Sequence, residues 1–396
     1  MTDGRPLARR GPVVVAVGLG QLLAWGSSYY LLAILARPMA AGLGLKPVVV
    51  YAEFSAALLL AAMLGPLVGG WIDQHGGRKV LLASNAVFAA GLATLAISQG
   101  PLSLALGWLL IGAAMPMGLY DAAFSTLVTL YRADARRSIV GVTLIAGFAS
   151  SVSWPLSAAL EAHFGWRAAC VSWALLHLTV GAGIHAFLLP EAPRITALHT
   201  VPDTALATAA PRNSTLWLLA AIFTCNGFIF AAMAAHLPRV LQAIGCTPVA
   251  AVAAASLLGV SQVTARLADG ALLRRLHPLV SARLSMAMHP LGVIIIGIFG
   301  APLAVVFTAL HGAGVGLMTI VKGTLPLALF GATGFGRRAG LLEAPSRVAQ
   351  ALAPIAFGAA LDHLGTHALW ISGGIAAAGF TGVLLLRAGP RPQQRP

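Results

Sequence analysis

The chain has 396 residues, of which 58% are hydrophobic and only 9% charged, and its mean hydropathy is +0.87. That balance excludes a soluble globular domain of ordinary composition and implies a polytopic membrane protein. The net charge of +14 does not point to nucleic acid, because the cations are scattered between apolar runs of spanning length rather than gathered on one face. Cys170, Cys225 and Cys246 lie in or beside apolar segments without metal-ligand or disulfide spacing, and are expected to be small core residues.

The segment Met1 to Gly11 is short and basic and leads into a full span without a small-residue cleavage site, so the first helix is expected to act as its own anchor. Apolar runs of about twenty residues mark spanning helices. They fall near 12 to 36, 48 to 72, 79 to 98, 102 to 131, 138 to 161 and 166 to 189. A polar stretch then carries Pro190, Pro193, Pro202 and Pro211 and shows neither a spanning run nor the periodicity of a domain. Further runs follow near 214 to 239, 247 to 273, 280 to 299, 302 to 331, 340 to 361 and 367 to 387. The expected organisation is an all-α membrane protein of twelve spans: a six-helix bundle over 1–189, a linker over 190–213, and a second bundle with a short tail over 214–396.

Cations set the orientation. With both termini inside, Arg37, Lys46, Arg167 and Arg239 are all that the outer loops hold of 25 Lys and Arg, and Arg266 and Lys322 lie inside spans. The excess of cations on the other face places both termini in the cytoplasm, with the bacterial inner membrane as the expected location.

The halves repeat. Leu267-Ala268-Asp269 followed by Arg274-Arg275 echoes Trp71-Ile72-Asp73 followed by Arg78-Lys79, Arg337-Arg338 echoes Arg136-Arg137, and His363-Leu364-Gly365 echoes His163-Phe164-Gly165, all at spacings near 200. Two bundles related by an axis along the membrane normal are expected from such a repeat. The loop Gly65 to Lys79, with Gly69, Asp73, Gly76, Arg78 and Lys79, resembles the loop between the second and third helices of major facilitator superfamily transporters, although Gln74 and Gly77 stand at usual basic positions. The resemblance covers essentially the whole chain. It implies a cytoplasmic gate made of Gly69, Asp73, Gly76, Arg78 and Lys79, with a second copy at Asp269, Arg274 and Arg275. In that gate glycines let helices approach while Asp73 accepts charge-assisted hydrogen bonds.

A charge in mid-helix costs about 2.5 to 3.5 kcal/mol on insertion scales, so each is expected to face a cavity or a partner. Five stand out: Glu53, Asp121, Arg266, Lys322 and Glu343. Asp121 and Lys322 occupy corresponding places in the repeat. Because the first, fourth, seventh and tenth helices of the family line its path, the resemblance implies that these two charges face one another, as a closing pair or as an anion and proton site. A fixed buried pair, or separate links to neighbouring helices, is the structural alternative. Arg266, in Gly259-Val-Ser-Gln-Val-Thr-Ala-Arg266, is similar to the eighth-helix arginine of monocarboxylate carriers and oxalate antiporters, which binds the substrate carboxylate with a planar fork of donors. Gln262 stands where the animal carriers have an Asp. The alternative is that Arg266 belongs to the second copy of the gate.

Glu53 and Glu343 are candidate proton carriers, since apolar surroundings favour the protonated form of a carboxyl; interhelical or helix-end hydrogen bonds are the alternative. The family's usual fourth-helix arginine would fall at Trp108, and its absence argues against a drug/proton exchanger. Tyr29, Tyr30, Tyr120, Asn226, His236 and His311 are candidates to line the path, against the alternatives of interfacial anchors and satisfied core groups. No Walker loop, zinc, haem or nucleophile constellation is present in the sequence, so no cofactor is implied. The expected activity is secondary active transport of a small, carboxylate-like anion, with protons as a candidate coupling ion, by a monomer rocking two bundles. A proton-driven exporter of a drug or toxic metabolite and a transporter-like sensor are the rivals.

Overall fold

A computed structural model describes residues 10–131, 135–191, 213–273, 276–330 and 335–386, the side chains of 73–75, 136, 213 and 335–340 excepted. Among the described residues every regular element is helical. The chain divides into two compact units, Met1–His199 and Thr200–Pro396.

The first unit contains α1 (Arg10–Gly26), α2 (Tyr29–Gly42), α3 (Pro47–His75), α4 (Gly77–Ala96), α5 (Pro101–Gly118), α6 (Tyr120–Tyr131), α7 (Ala135–Ala146) and α8 (Ala149–Leu176). The second contains α9 (Asn213–Ala243), α10 (Pro248–Ala268), α11 (Pro278–Phe299), α12 (Ala304–Phe330), α13 (Phe335–Leu364) and α14 (Ala368–Leu385). Prolines open α3, α5, α10 and α11 at the first position, where the missing N–H has no intrahelical partner to lose.

Among the described residues, ten helical segments are long and apolar enough to cross a membrane. Arg137–Leu188 and Leu341–Leu385 run for 52 and 45 residues. Straight helices of that length would reach roughly 78 and 68 Å against a hydrocarbon core of about 30 Å. Each instead turns at a glycine in the left-handed region, Gly165 at φ 80° and Gly365 at φ 55°, the positions at which the sequence repeats. The count of twelve rests on dividing both segments there. On α3, Met63, Leu67 and Trp71 are 74%, 63% and 53% exposed, one turn apart, an apolar stripe that only lipid solvates comfortably.

The two units use the same packing pairs. In the first, α5 packs on α3 and α4, α8 on α4, and α7 on α1; in the second, α12 packs on α10 and α11, α14 on α11, and α13 on α9. Small residues make the closest approaches. A Cβ at Gly112 would lie 2.8 Å from the Ala57 Cα, and one at Gly312 would lie 2.6 Å from the Leu258 carbonyl. These are the same contact in each half.

Three spans of the first unit are interrupted where the sequence predicts continuous helices. The first breaks between α1 and α2 at Ser27–Ser28, the fourth between α5 and α6 at Leu119 (ψ −169°), and α7 and α8 are separated at Gly147–Phe148. Side chains answer the backbone there: Gln21 Nε2 donates to the Gly118 carbonyl at 2.6 Å, Ser28 Oγ to Ala24 at 2.6 Å, and Trp154 Nε1 to Tyr30 at 3.1 Å. The counterparts α9 and α12 run unbroken for 31 and 27 residues.

Two placements correct the sequence reading. Arg239 lies inside α9 rather than in an outer loop, and it pairs with Asp362 of α13. Glu343 sits more than two turns into α13, not at a helix start, because that helix begins at Phe335.

Replacing Gly112 or Gly312 by leucine is expected to lower stability by about 1–3 kcal/mol or more through overpacking, read as a fall in thermal midpoint in detergent. Gly69→Ala serves as the control, since nothing lies within 4 Å of a Cβ there.

Candidate functional site

At the breaks of the first unit, aromatic rings from both interrupted spans meet. Trp25 lies 4.8 Å from Tyr29 and 5.3 Å from Tyr120, Tyr29 meets Phe54 edge-on at 5.7 Å, and Phe54 meets Trp108 at 5.1 Å. Tyr29 and Tyr120 are thus brought together, while Tyr30 is buried against Trp154 at 5.2 Å. Glu53 precedes Phe54 on α3, and its Oε2 is buried without a hydrogen-bond partner among the described residues. Trp108, where the family pattern has an arginine, is fully buried on α5, a helix that packs against α3. Asp121 is exposed in the first turn of α6. There the helix N-terminus favours a carboxylate, so the break itself supplies a reason for an acid.

In the second unit, Lys322 and Glu343 form an ion pair from α12 to α13, Nζ to Oε2 at 2.9 Å, each side chain about one quarter exposed (27% and 26%). The Lys322 ammonium also lies 5.6 Å from the centre of the Phe223 ring. Lys322 therefore has an acidic partner inside its own unit, Glu343, rather than waiting for Asp121. Glu343 is a salt-bridge acceptor before it is a proton carrier.

Arg266 is 7% exposed on α10. Its Nη2 donates to Gln262 Oε1 and to Thr319 Oγ1 of α12, both at 3.2 Å. Gln262 is an acceptor for the guanidinium. The Gln262 Nε2 is buried without a partner among the described residues. His236 is buried and donates from Nε2 to the Pro354 carbonyl at 2.8 Å, tying α9 to α13. Asn226 and His311 come together at a small pocket that also includes His289 and Ser285.

Several residues of the gate motif can be placed one by one. Gly76 is needed for its left-handed backbone, φ 80°, at the turn from α3 to α4. No close approach occurs at Gly69. It occurs at Gly77, where any Cβ would run into the Thr126 side chain of α6, which explains why a basic residue is absent there. Arg78 donates to the Ala186 carbonyl and lies 3.4 Å from Glu191, so it fastens the end of the sixth span. Lys79 is exposed. Asp269 is buried in a π-helical turn and accepts from the Ser281 hydroxyl of α11. The Asp73 side chain and Arg274 and Arg275 lie outside the described residues.

Other polar groups went unnoticed in the sequence. In the first unit a buried chain joins Ser27 to His177 Nε2 at 2.7 Å, His177 Nδ1 to Asn85 Oδ1 at 3.0 Å, and Asn85 Nδ2 to His185 Nδ1 at 2.8 Å. It links the first, third and sixth spans, the sixth through two π-helical turns, His177–Gly181 and Ile184–Leu188. Histidines spaced by eight in one apolar run were the available signal. Arg239 and Asp362 were legible as opposite charges at corresponding ends of two spans.

Neutralising one partner of the Lys322 and Glu343 pair is expected to cost about 1–3 kcal/mol by leaving the other half-buried and unmatched. Thermal midpoints of Lys322→Met, Glu343→Gln and the double variant check this. The double variant should be more stable than either single one.

Residues 17–319 match the Major Facilitator Superfamily profile. The chain is 29% identical to Myo-inositol transporter 2 of Schizosaccharomyces pombe (strain 972 / ATCC 24843) over 148 residues, 37% of this chain and 26% of that protein, so the matched stretch spans about a quarter of its length. Among solved structures, the human organic anion transporter MFSD10 (TETRAN) aligns with TM-score 0.67 at 18% identity, covering 96% of this chain and 100% of that one. A bacterial homologue of the human lysosomal transporter Spinster, inward-facing and occupied, aligns with TM-score 0.65 at 15% identity, covering 96% and 95%. With helical packing repeated in two units, apolar spans throughout and a family match over residues 17–319, the chain belongs to the major facilitator superfamily and is an integral membrane protein.

Proposed function

We propose that the protein is a secondary active transporter that moves a small, carboxylate-bearing anion by alternating access. The observation that supports this most is Arg266: a guanidinium 7% exposed within an apolar helix and held by an amide and a hydroxyl. The amide and the hydroxyl help to orient the planar fork of donors, and that fork suits bidentate recognition of a carboxylate. The likeness in fold to a solved organic anion transporter agrees with this substrate class.

Glu53 is the proposed proton carrier. A buried carboxyl oxygen with no hydrogen-bond partner is accommodated best when the group is protonated. A second reading, export of a cationic amphiphile, draws on the aromatic cluster of Trp25, Tyr29 and Tyr120 beside the helix that carries Glu53, since aromatic faces and a carboxylate suit such a ligand.

Proteoliposome uptake tests both. Hydrogen bonds to charged groups contribute about 1.5–3 kcal/mol, so Arg266→Gln is expected to reduce carboxylate uptake roughly ten- to a hundredfold, with partial retention in Arg266→Lys. Glu53→Gln should abolish accumulation driven by a pH gradient while preserving exchange of labelled solute at equal concentrations. Wild-type carboxylate uptake by Arg266→Gln would remove the anion proposal. Transport of hydrophobic cations alone would favour the exporter, and binding without transport would favour a sensor.

A further inference from the structure

Helices α9, α11, α12 and α14 of the second unit contribute to a small pocket lined by Asn226, Ser285, His289, His311 and Gly314 among others. The hydrogen bonds around it decide which nitrogens carry protons. Ser372 Oγ has one hydrogen and gives it to the Leu369 carbonyl at 2.8 Å. His289 Nε2, 3.1 Å from that oxygen, must then be the donor. A neutral imidazole has one donor and one acceptor nitrogen, so the His289 lone pair is on Nδ1. That atom lies 2.9 Å from His311 Nδ1. His311 therefore donates from Nδ1 and carries its own lone pair on Nε2. Two rings both protonated at Nδ1 would set N–H against N–H at this distance, so at least one is neutral.

His311 is only 3% exposed and borders the pocket. Its Nε2 has no hydrogen-bond partner among the described residues, and neither has the Asn226 side chain. Ser285 does not compete for them, since its hydroxyl donates to the Gly314 carbonyl at 2.7 Å. An unmet acceptor and an unmet amide thus share one small space. Ile229, Met286 and Val315 supply apolar walls, and no acidic residue is among the lining groups.

We propose that this pocket is a subsite for one hydroxyl group of the transported solute. The hydroxyl donates to His311 Nε2 and accepts from the Asn226 amide, a pairing that uses both of its capacities. A carbonyl or ether oxygen lacks the proton that His311 requires. An ammonium would enter a pocket without a countercharge, which the burial disfavours. The His289 and Ser372 side chains are positioning residues: their hydrogen bonds fix His311 Nδ1 as a donor and leave its lone pair on Nε2. The transporter consequently prefers hydroxylated members of its substrate class, because a site built to bind a hydroxyl penalises an analogue that lacks it.

The test uses the full chain in nanodiscs, titrated with propionate, lactate and glycerol, with thermal stabilisation and histidine 15N spectra as readouts. Wild-type protein should bind lactate at least about tenfold more tightly than propionate, in keeping with the penalty for an unpaired polar group. His311→Phe should erase that difference and leave propionate binding intact; His311→Gln, whose amide oxygen also accepts, should keep part of it. Lactate should perturb the His311 Nε2 resonance of the wild-type protein, a readout that needs no variant to fold. Equal binding of lactate and propionate with no response at His311 Nε2 overturns the subsite and leaves the anion proposal standing. Glycerol binding that is lost in His311→Phe, without any carboxylate binding, supports the subsite and overturns the anion proposal. Failure of both lactate and glycerol to bind, or a His311 Nε2 that carries a proton in the wild-type protein at neutral pH, overturns the subsite.

Discussion

A bilayer offers no water to a stranded hydrogen-bonding group, and this constraint governs both units of the protein. Interruptions of the first and fourth spans survive because Gln21 answers Gly118 and Ser28 answers Ala24. The Trp154 indole does the same for Tyr30. The Lys322 ammonium has Glu343, the Arg239 guanidinium has Asp362, and the His236 imidazole has the Pro354 carbonyl. Other buried atoms have no hydrogen-bond partner among the described residues, Gln21 Oε1, Trp108 Nε1, Gln262 Nε2 and Glu53 Oε2 among them. Of the polar groups, Glu53 is the one proposed to take a proton and His311 the one proposed to meet a hydroxyl of the solute.

Duplication supplied one scaffold twice, and the two copies diverged in what they carry. Their close approaches correspond, Gly112 on Ala57 and Gly312 on Leu258, so the backbone pattern is shared. The first unit has spent its freedom on broken helices that bring an aromatic cluster together. The second keeps its helices continuous along α9 and α12 and bears Arg266, Lys322 and the paired histidines. Broken helices near mid-membrane are frequent solute sites in transporters. The division proposed here gives the proton to the first unit and the solute's polar groups to the second.

Much of the fold was legible before any coordinates. Apolar runs gave the spans, and the His-Phe-Gly and His-Leu-Gly echoes fell on the two left-handed glycines at 165 and 365. The breaks were not legible, because Ser27–Ser28 and Gly118–Leu119 lie in runs whose hydropathy stays high. Residue roles were less accessible still. Asp121 and Lys322 share a position in the repeat, yet Lys322 was claimed by Glu343, a residue 21 further along the chain whose proximity depends on how α13 packs. Gly77 looked like a lost cation until Thr126 was seen against it. His289 carries no signal in the sequence, because its partners, His311 and Ser372, lie on other spans.

The most direct measurement of where the solute binds is a cryo-EM map of the protein in nanodiscs saturated with a carboxylate that it transports. The account predicts ligand density within hydrogen-bonding distance of the Arg266 guanidinium, on the side of α10 that meets α12. Density confined to the first unit, among Trp25, Tyr29 and Tyr120 and away from α10 and α12, would contradict it.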